Sequence, residues 1–143
     1  MDETPSHPPK SFTASEANAL LSKARPLIEQ LQGLQHSILK TNHQLDEMVN
    51  KLAGGNGYPI QAIKDKVKEL TKRQLTLIEA FQAALKQLED LGCLVKDVSL
   101  GLLDFYSSRN GEPILLCWKL GEEQVRFWHT LESGYASRQP VDA

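Results

Sequence analysis

Apolar residues first recur in steps of four and three. Leu20, Ala24, Leu27, Leu31, Leu34, Ile38, Thr41, Leu45, Met48 and Leu52 form one narrow seam, interrupted only by Thr41. Such spacing keeps a single stripe of an α-helix apolar for more than four heptads. A capping box opens the run: Thr13 precedes Glu16 by three residues, and Phe12 can staple onto Ala17. Pro26 removes a backbone donor inside the helix, so a kink or local opening is expected at 22–26. Gly54-Gly55-Asn56-Gly57 stops the helix, and Tyr58-Pro59 starts the next with proline in its first turn.

The second seam runs Ile60, Ile63, Val67, Leu70, Gln74, Leu77, Phe81, Leu85 and Leu88, with Gly92 as C-cap. So short a connection makes the helices antiparallel neighbours, each on the order of 50 Å long at ~1.5 Å per residue. Pairing outward from the turn sets Leu52 by Ile60, Leu45 by Val67 and Leu31 by Phe81. Leu21, Ile28, Leu39, Val49, Leu75 and Ile78 widen the stripe beyond what two helices can cover. A third layer is therefore expected: the C-terminal module, a second copy of the chain, or both.

After Gly92 the period becomes that of strands, over residues 94–98, 102–106, 113–119 and 125–129. Asn110-Gly111 is the best hairpin turn in the chain, and 120–123 make the next turn. Alternation puts Ile114, Leu116, Trp118 and Leu120 on one face and Leu115, Cys117 and Lys119 on the other. Val125, Phe127 and His129 likewise oppose Arg126 and Trp128. The fold class expected is α+β: a long antiparallel two-helix hairpin, coiled-coil-like, followed by a small antiparallel β-meander. The polar, proline-rich residues 1–11 read as a disordered arm. Residues 12–143 read as a single domain, made of a hairpin (12–92), a β-module (93–133) and an irregular tail (134–143).

Composition narrows the function classes more than it names one. The net charge is −2, with 11 basic and 11 acidic residues over 1–92 and 5 and 7 over 93–143. Neither half has an electrostatic drive toward nucleic acid or anionic membrane. Lys64, Lys68 and Lys72 form a ridge on the second helix that could meet RNA phosphates, but Asp65, Glu69, Asp46 and Glu47 lie interleaved or opposite. His36 and His43, a heptad apart, are too distant to share a metal and read as solvent-facing. No apolar run is long enough to span a bilayer, and the N-terminus lacks a signal-peptide pattern, so a cytoplasmic location is expected. Cys93 and Cys117 then read as free buried thiols.

Candidate chemistry concentrates near the C-terminus. A Cys117–His129–Asp104 triad has suitable residue types, but Cys117 lies mid-strand in an apolar run. A metal site from Cys93, Cys117 and His129 lacks a recognised ligand spacing. A binding pocket could be walled by Trp118 and Trp128, with Arg109, Arg138, Glu122 and His129 as polar contacts. The plainer alternative is that the tryptophans complete a small core and the charges satisfy one another.

The series Gly101-Leu102-Leu103-Asp104-Phe105, Arg109-Asn110-Gly111, Leu116-Cys117-Trp118-Lys119-Leu120-Gly121-Glu122, Trp128-His129 and Gly134 to Arg138-Gln139-Pro140 is distinctive. It resembles the C-terminal signature of a family of small bacterial proteins described only as a domain of unknown function. Phe12-Thr13 through Glu16-Ala17-Asn18 and the leucines that follow are similar too. The resemblance implies no activity, substrate or cofactor. It does draw emphasis to Asp104, Arg109, Glu122, His129 and Arg138, polar residues without an obvious core role.

The expected function is an interaction or small-ligand-binding protein, with candidate ligand-binding residues Asp104, Arg109, Trp118, Glu122, Trp128, His129 and Arg138. It is expected to be a homodimer through the hairpin, with a possible protein or small-molecule partner. No metal, no cofactor, no membrane and no nucleic acid are expected. The main alternative is an enzyme using His129 as acid/base beside Asp104 or Glu122. The classes separate on geometry: the enzyme needs His129 within hydrogen-bond reach of a carboxylate in a concave pocket, whereas a binding module does not.

Overall fold

A computed structural model describes residues 10–55, 57 and 59–142. Two helices, α1 (Ala14–Gly54) and α2 (Ile60–Leu91), precede a five-stranded antiparallel sheet: β1 (Leu94–Asp97), β2 (Leu102–Arg109), β3 (Glu112–Lys119), β4 (Phe127–Thr130) and β5 (Gln139–Pro140). The α+β expectation holds. Most of the expected arm lies outside the described residues, as do Asn56 and Tyr58 in the turn. Among the described residues, no helix is long and apolar enough to cross a membrane.

The chain divides into two compact units. Among the described residues, one comprises 10–29 and 85–142 and the other lies within 30–84. In the first, α1 opens on the expected capping box: the Glu16 amide donates to Thr13 Oγ1 at 3.1 Å, and the Thr13 amide donates to Glu16 Oε1 at 2.9 Å. Phe12 meets the Phe105 ring edge-on at 5.7 Å, while its amide donates to the Tyr106 carbonyl. Phe12 thus ties the start of α1 to β2. α1 continues through Pro26 without a break, so the opening expected there is not seen. Arg25 clamps this turn by donating to the Glu122 and Glu123 carbonyls at 3.3 and 2.6 Å.

Gly92 caps α2 with φ of 101°. Its amide donates to Glu89 O and that of Cys93 to Leu88 O, the paired bonds of a Schellman ending. A side chain at Gly92 would also collide with the Phe12 ring. The core of this unit gathers Ala17, Leu21, Ala24 and Ile28 of α1, Leu88 of α2, and Leu103, Phe105, Leu116 and Trp118 of the sheet. Leu21 and Ile28, which widen the first seam, are therefore covered.

The second unit is the hairpin. Gln74 donates to the Ile38 carbonyl at 3.0 Å and to Asn42 Oδ1 at 2.5 Å. Setting Ile38 beside Gln74 is the register that pairs Leu45 with Val67 and Leu31 with Phe81. Thr41, the polar interruption in the seam, is buried and donates to the Ser37 carbonyl at 2.9 Å. Gln74 thus reaches from an otherwise apolar seam to polar groups of α1, the kind of contact that fixes register in paired helices. Here Leu39, Val49, Leu75 and Ile78 are exposed.

In the sheet, Asn110 (φ 53°) and Gly111 (φ 80°) make the two-residue turn, and Arg109 pairs with Glu112. Both strands therefore reach the turn itself, further than residues 106 and 113. β4 starts at Phe127 rather than at 125, because the Val125 amide donates to Asn18 Oδ1 at 2.6 Å instead of to a strand. The tail is not irregular throughout: a short 3-10 turn (Tyr135–Ser137) leads into β5, which pairs with β4. Pro140 is tolerated because β5 lies at the sheet edge.

Candidate functional site

Antiparallel register decides which polar residues meet. Asp104 on β2 lies opposite Cys117 on β3, and His129 on β4 lies opposite Leu115. Leu115 and Cys117 are two residues apart, so Asp104, Cys117 and His129 share one sheet face. The intervening positions Leu103, Phe105, Leu116 and Trp118 point to the helices. We call these the outer and inner faces.

On the outer face, His129 Nε2 lies 3.0 Å from Asp104 Oδ2, with both side chains buried. The other ring nitrogen, Nδ1, is 2.8 Å from the Thr130 carbonyl. A carbonyl can only accept, so Nδ1 carries a hydrogen and donates it. The second proton is then shared: either Nε2 donates it to the carboxylate, or a protonated Asp104 donates it to Nε2. Burial pushes the Asp104 carboxyl up from its ordinary range, and the opposing pull of His129, Cys117 and Lys96 does not offset it. The Cys117 thiol is near enough to influence the carboxylate but does not satisfy it: Asp104 Oδ1 is buried with no hydrogen-bond partner. Such orphans are few in folded proteins and call for an explanation.

Burial, and then the Asp104 charge, push the Cys117 thiol up to about 12. The thiol therefore keeps its proton, and both nitrogens of the only nearby base are engaged. The geometry brings the Cys117–His129–Asp104 set together but does not make a nucleophilic triad. Beside the cluster lies a cavity of about 140 Å³, lined also by Lys96, Leu102, Leu131 and Tyr135. It has room for a few waters or a ligand of a few heavy atoms.

The remaining candidates fall in two places, one of which borders the cluster: Arg138 is close enough to Cys117 to pull its thiol down against the larger effect of burial. Arg138 bonds Glu122 at 3.0 Å and stacks between Phe127 and Tyr135, 4.2 Å from each ring. Glu122 also accepts the Lys119 amide, so its carboxylate staples the turn after β3 rather than serving His129. Trp118 is fully buried on the inner face, donating to the Glu122 carbonyl at 2.9 Å, with Arg25 over its ring. Trp128 is also an inner-face residue, half-buried, with Arg109 5.0 Å above it and donating to the Val141 carbonyl. The two tryptophans thus face away from His129, and the single pocket expected from all these residues does not form. Strand alternation separates them.

Cys93 stands apart from the cluster as well. It is free and buried, and burial alone raises its thiol to about 12. Of the three ligands considered for a metal, Cys117 and His129 come together with Asp104 in place of Cys93. The wider concavities, of about 420 Å³ beside Cys93 and about 450 Å³ beside Trp128, are surface grooves flanked by exposed charges such as Glu89, Asp90, Glu112 and Glu132. The hairpin lysines 64, 68 and 72 are exposed, and Lys66 pairs with Glu69 at 3.4 Å. His36 and His43 are solvent-facing, the latter 3.3 Å from Glu47.

Lys96, Thr130 and Tyr135 were not among the sequence candidates, yet they complete the surroundings of the cluster. Only Lys96 carried a signal, its alternation with Leu94, and that acquires meaning once β1 is known to pair with β2.

A model of one protein family matches residues 10–141, which include every strand, the capping box and the cluster. The chain belongs to the DUF2203 family, described as uncharacterized conserved proteins. No curated protein and no solved structure matches it. The family's description assigns no activity, so the site must be read from its own chemistry.

Proposed function

We propose that this DUF2203 protein is a small-ligand-binding protein of the bacterial cytoplasm, with its binding site in the cavity over Asp104, Cys117 and His129. The observation that carries this reading is the orphaned Asp104 Oδ1, buried in the wall of a cavity rather than in packed core. Burying a carboxylate oxygen without a partner costs stability, and a ligand that supplies a hydrogen-bond donor or a positive charge would offset that cost. The cavity admits only a small ligand. The enzyme alternative has His129 beside a carboxylate, as it requires, but no free ring nitrogen with which to move a substrate proton.

The test is an NMR titration with ammonium, methylammonium, guanidinium and zinc ions as probes. Saturable shifts of the His129, Leu115, Leu102 and Tyr135 signals by at least one probe are expected. A cluster silent to all four ends the reading.

A second reading concerns the hairpin. Leu39, Val49, Leu75 and Ile78 each follow a seam residue by one position, which in antiparallel helices projects them to the same side. Leu39 is 62% exposed and Leu75 58%. Asp46 follows a seam residue in the same way on α1, as Lys64 and Lys68 do on α2, so this side carries both signs of charge around its apolar residues. A second copy, using the same stripe in a two-fold arrangement, fits those features. Light scattering should give a dimer at micromolar concentration, converted to monomer by Leu39→Lys with Leu75→Lys. A monomeric parent protein rejects it.

A further inference from the structure

Resting on the binding reading above, we infer that the ligand of this cavity is a divalent transition-metal ion of the zinc type, held by Asp104, Cys117 and His129. One donor atom from each of these buried residues lies within 4.8 Å of the others. Ligands on one tetrahedral zinc ion stand roughly 3–4 Å apart, given bonds of about 2.0–2.3 Å. Closing the site therefore requires movements of about an ångström, and the Nε2–Oδ2 pair is already at 3.0 Å.

Four features of the site select the metal class. The donors are one sulfur, one imidazole nitrogen and one carboxylate oxygen, a set that suits zinc and its neighbours and does not suit magnesium or calcium, which take oxygen. His129 is already oriented as a metal ligand needs: Nδ1–H donates to the Thr130 carbonyl, so once the proton shared with Asp104 leaves, Nε2 offers its lone pair to the cluster. Metal-bound histidines are oriented by such an outer hydrogen bond. Asp104 presents a second oxygen with no other partner. Finally, the ligands come from three adjacent hydrogen-bonded strands, so the sheet holds them without relying on a loop.

Charge also balances. A divalent ion would displace the proton shared by His129 and Asp104 and the thiol proton of Cys117. Two protons leave, and one carboxylate and one thiolate neutralise the two positive charges. Arg138 lies against Cys117, where its charge favours the thiolate, and Glu122 at 3.0 Å balances that charge. With three protein ligands, a fourth position remains for a small molecule in the cavity that these residues line.

The experiment uses the full chain incubated with zinc or cobalt(II) and then dialysed. One metal per chain is expected, and the cobalt form should show thiolate-to-cobalt charge-transfer absorption. That band should persist in Cys93→Ser and vanish in Cys117→Ser. Because Cys117→Ser can fail to fold, a cadmium-113 NMR measurement on the unmutated protein gives a second route. Scalar coupling from the metal to the Cys117 β-protons and His129 ring protons is expected. No retained metal, a band that survives Cys117→Ser, or coupling to Cys93 overturns the assignment. If the organic cations perturb the cluster while no metal is retained, the metal assignment falls and the binding reading stands. Silence toward every probe removes both.

Discussion

On the inner face of the sheet, Leu103, Phe105, Leu116 and Trp118 are buried against helices, and the polar side-chain groups buried beside them are two neutral indole N–H groups, that of Trp118 satisfied and that of Trp128 without a partner. One residue along each strand, the outer face buries Asp104, Cys117 and His129 just as deeply among Leu102 and Leu115, and there the unpartnered atom is a carboxylate oxygen. The two faces share strands, register and dryness and differ only in chemistry. The inner face has the composition that stability favours. The outer face pays a desolvation cost that packing alone does not require, and the binding proposal rests on that cost.

Substitutions can break or sharpen that contrast. The largest effect belongs to the inner face: Trp118→Ala should lose about 5 kcal/mol of stability in denaturant unfolding, since a fully buried indole leaves a large cavity. A loss under 1 kcal/mol would mean that the inner face is not the core.

Next comes pH, read through the thiol outside the cluster. Cys93 is raised from 9.0 to about 12 in the folded chain. Above pH 9 the unfolded chain gives up this proton first, so the folded state binds more protons and stability falls as pH rises from 9 toward 12. Three units correspond to at most about 4 kcal/mol. Cys93→Ala should flatten that fall, and an unchanged alkaline profile would show the thiol to be accessible.

Asp104→Ala should cost about 3 kcal/mol, because it strands His129 without its partner. Replacing both members, Asp104→Leu with His129→Leu, should restore stability or raise it while abolishing metal retention. If the double variant is as damaged as the single one, the pair is a structural strut and the contrast between faces disappears. The smallest effect lies outside the sheet. Gly33 is exposed within α1 with open space around it, so Gly33→Ala should add about 1 kcal/mol and leave metal binding untouched. Unfolding curves and metal content measured together check both.

Much of this architecture is legible in local sequence. The Thr13–Glu16 box, the Gly92 ending and the Asn110–Gly111 turn each depend on residues within five positions, where backbone sterics and one or two hydrogen bonds decide the outcome. The hairpin register was readable too, because a short turn leaves one pairing. Other features were less accessible. β5 has two residues, one of them proline, and gains its place only by pairing with β4. The pocket expected from both tryptophans and His129 failed because Trp128 and His129, adjacent on one strand, point to opposite faces, and only the fold shows that both tryptophans take the face toward the helices.

The sequence by itself determined the elements, their capping and the antiparallel hairpin, since these follow from periodicity and short-range geometry. It also marked Asp104 and His129 as polar residues without an obvious core role. Only the tertiary structure decided that they touch each other and Cys117, from positions 13 and 25 residues away from Asp104 in the chain. That meeting depends on the register of three strands and on which sheet face the helices cover, and both are set by long-range burial rather than by any local preference.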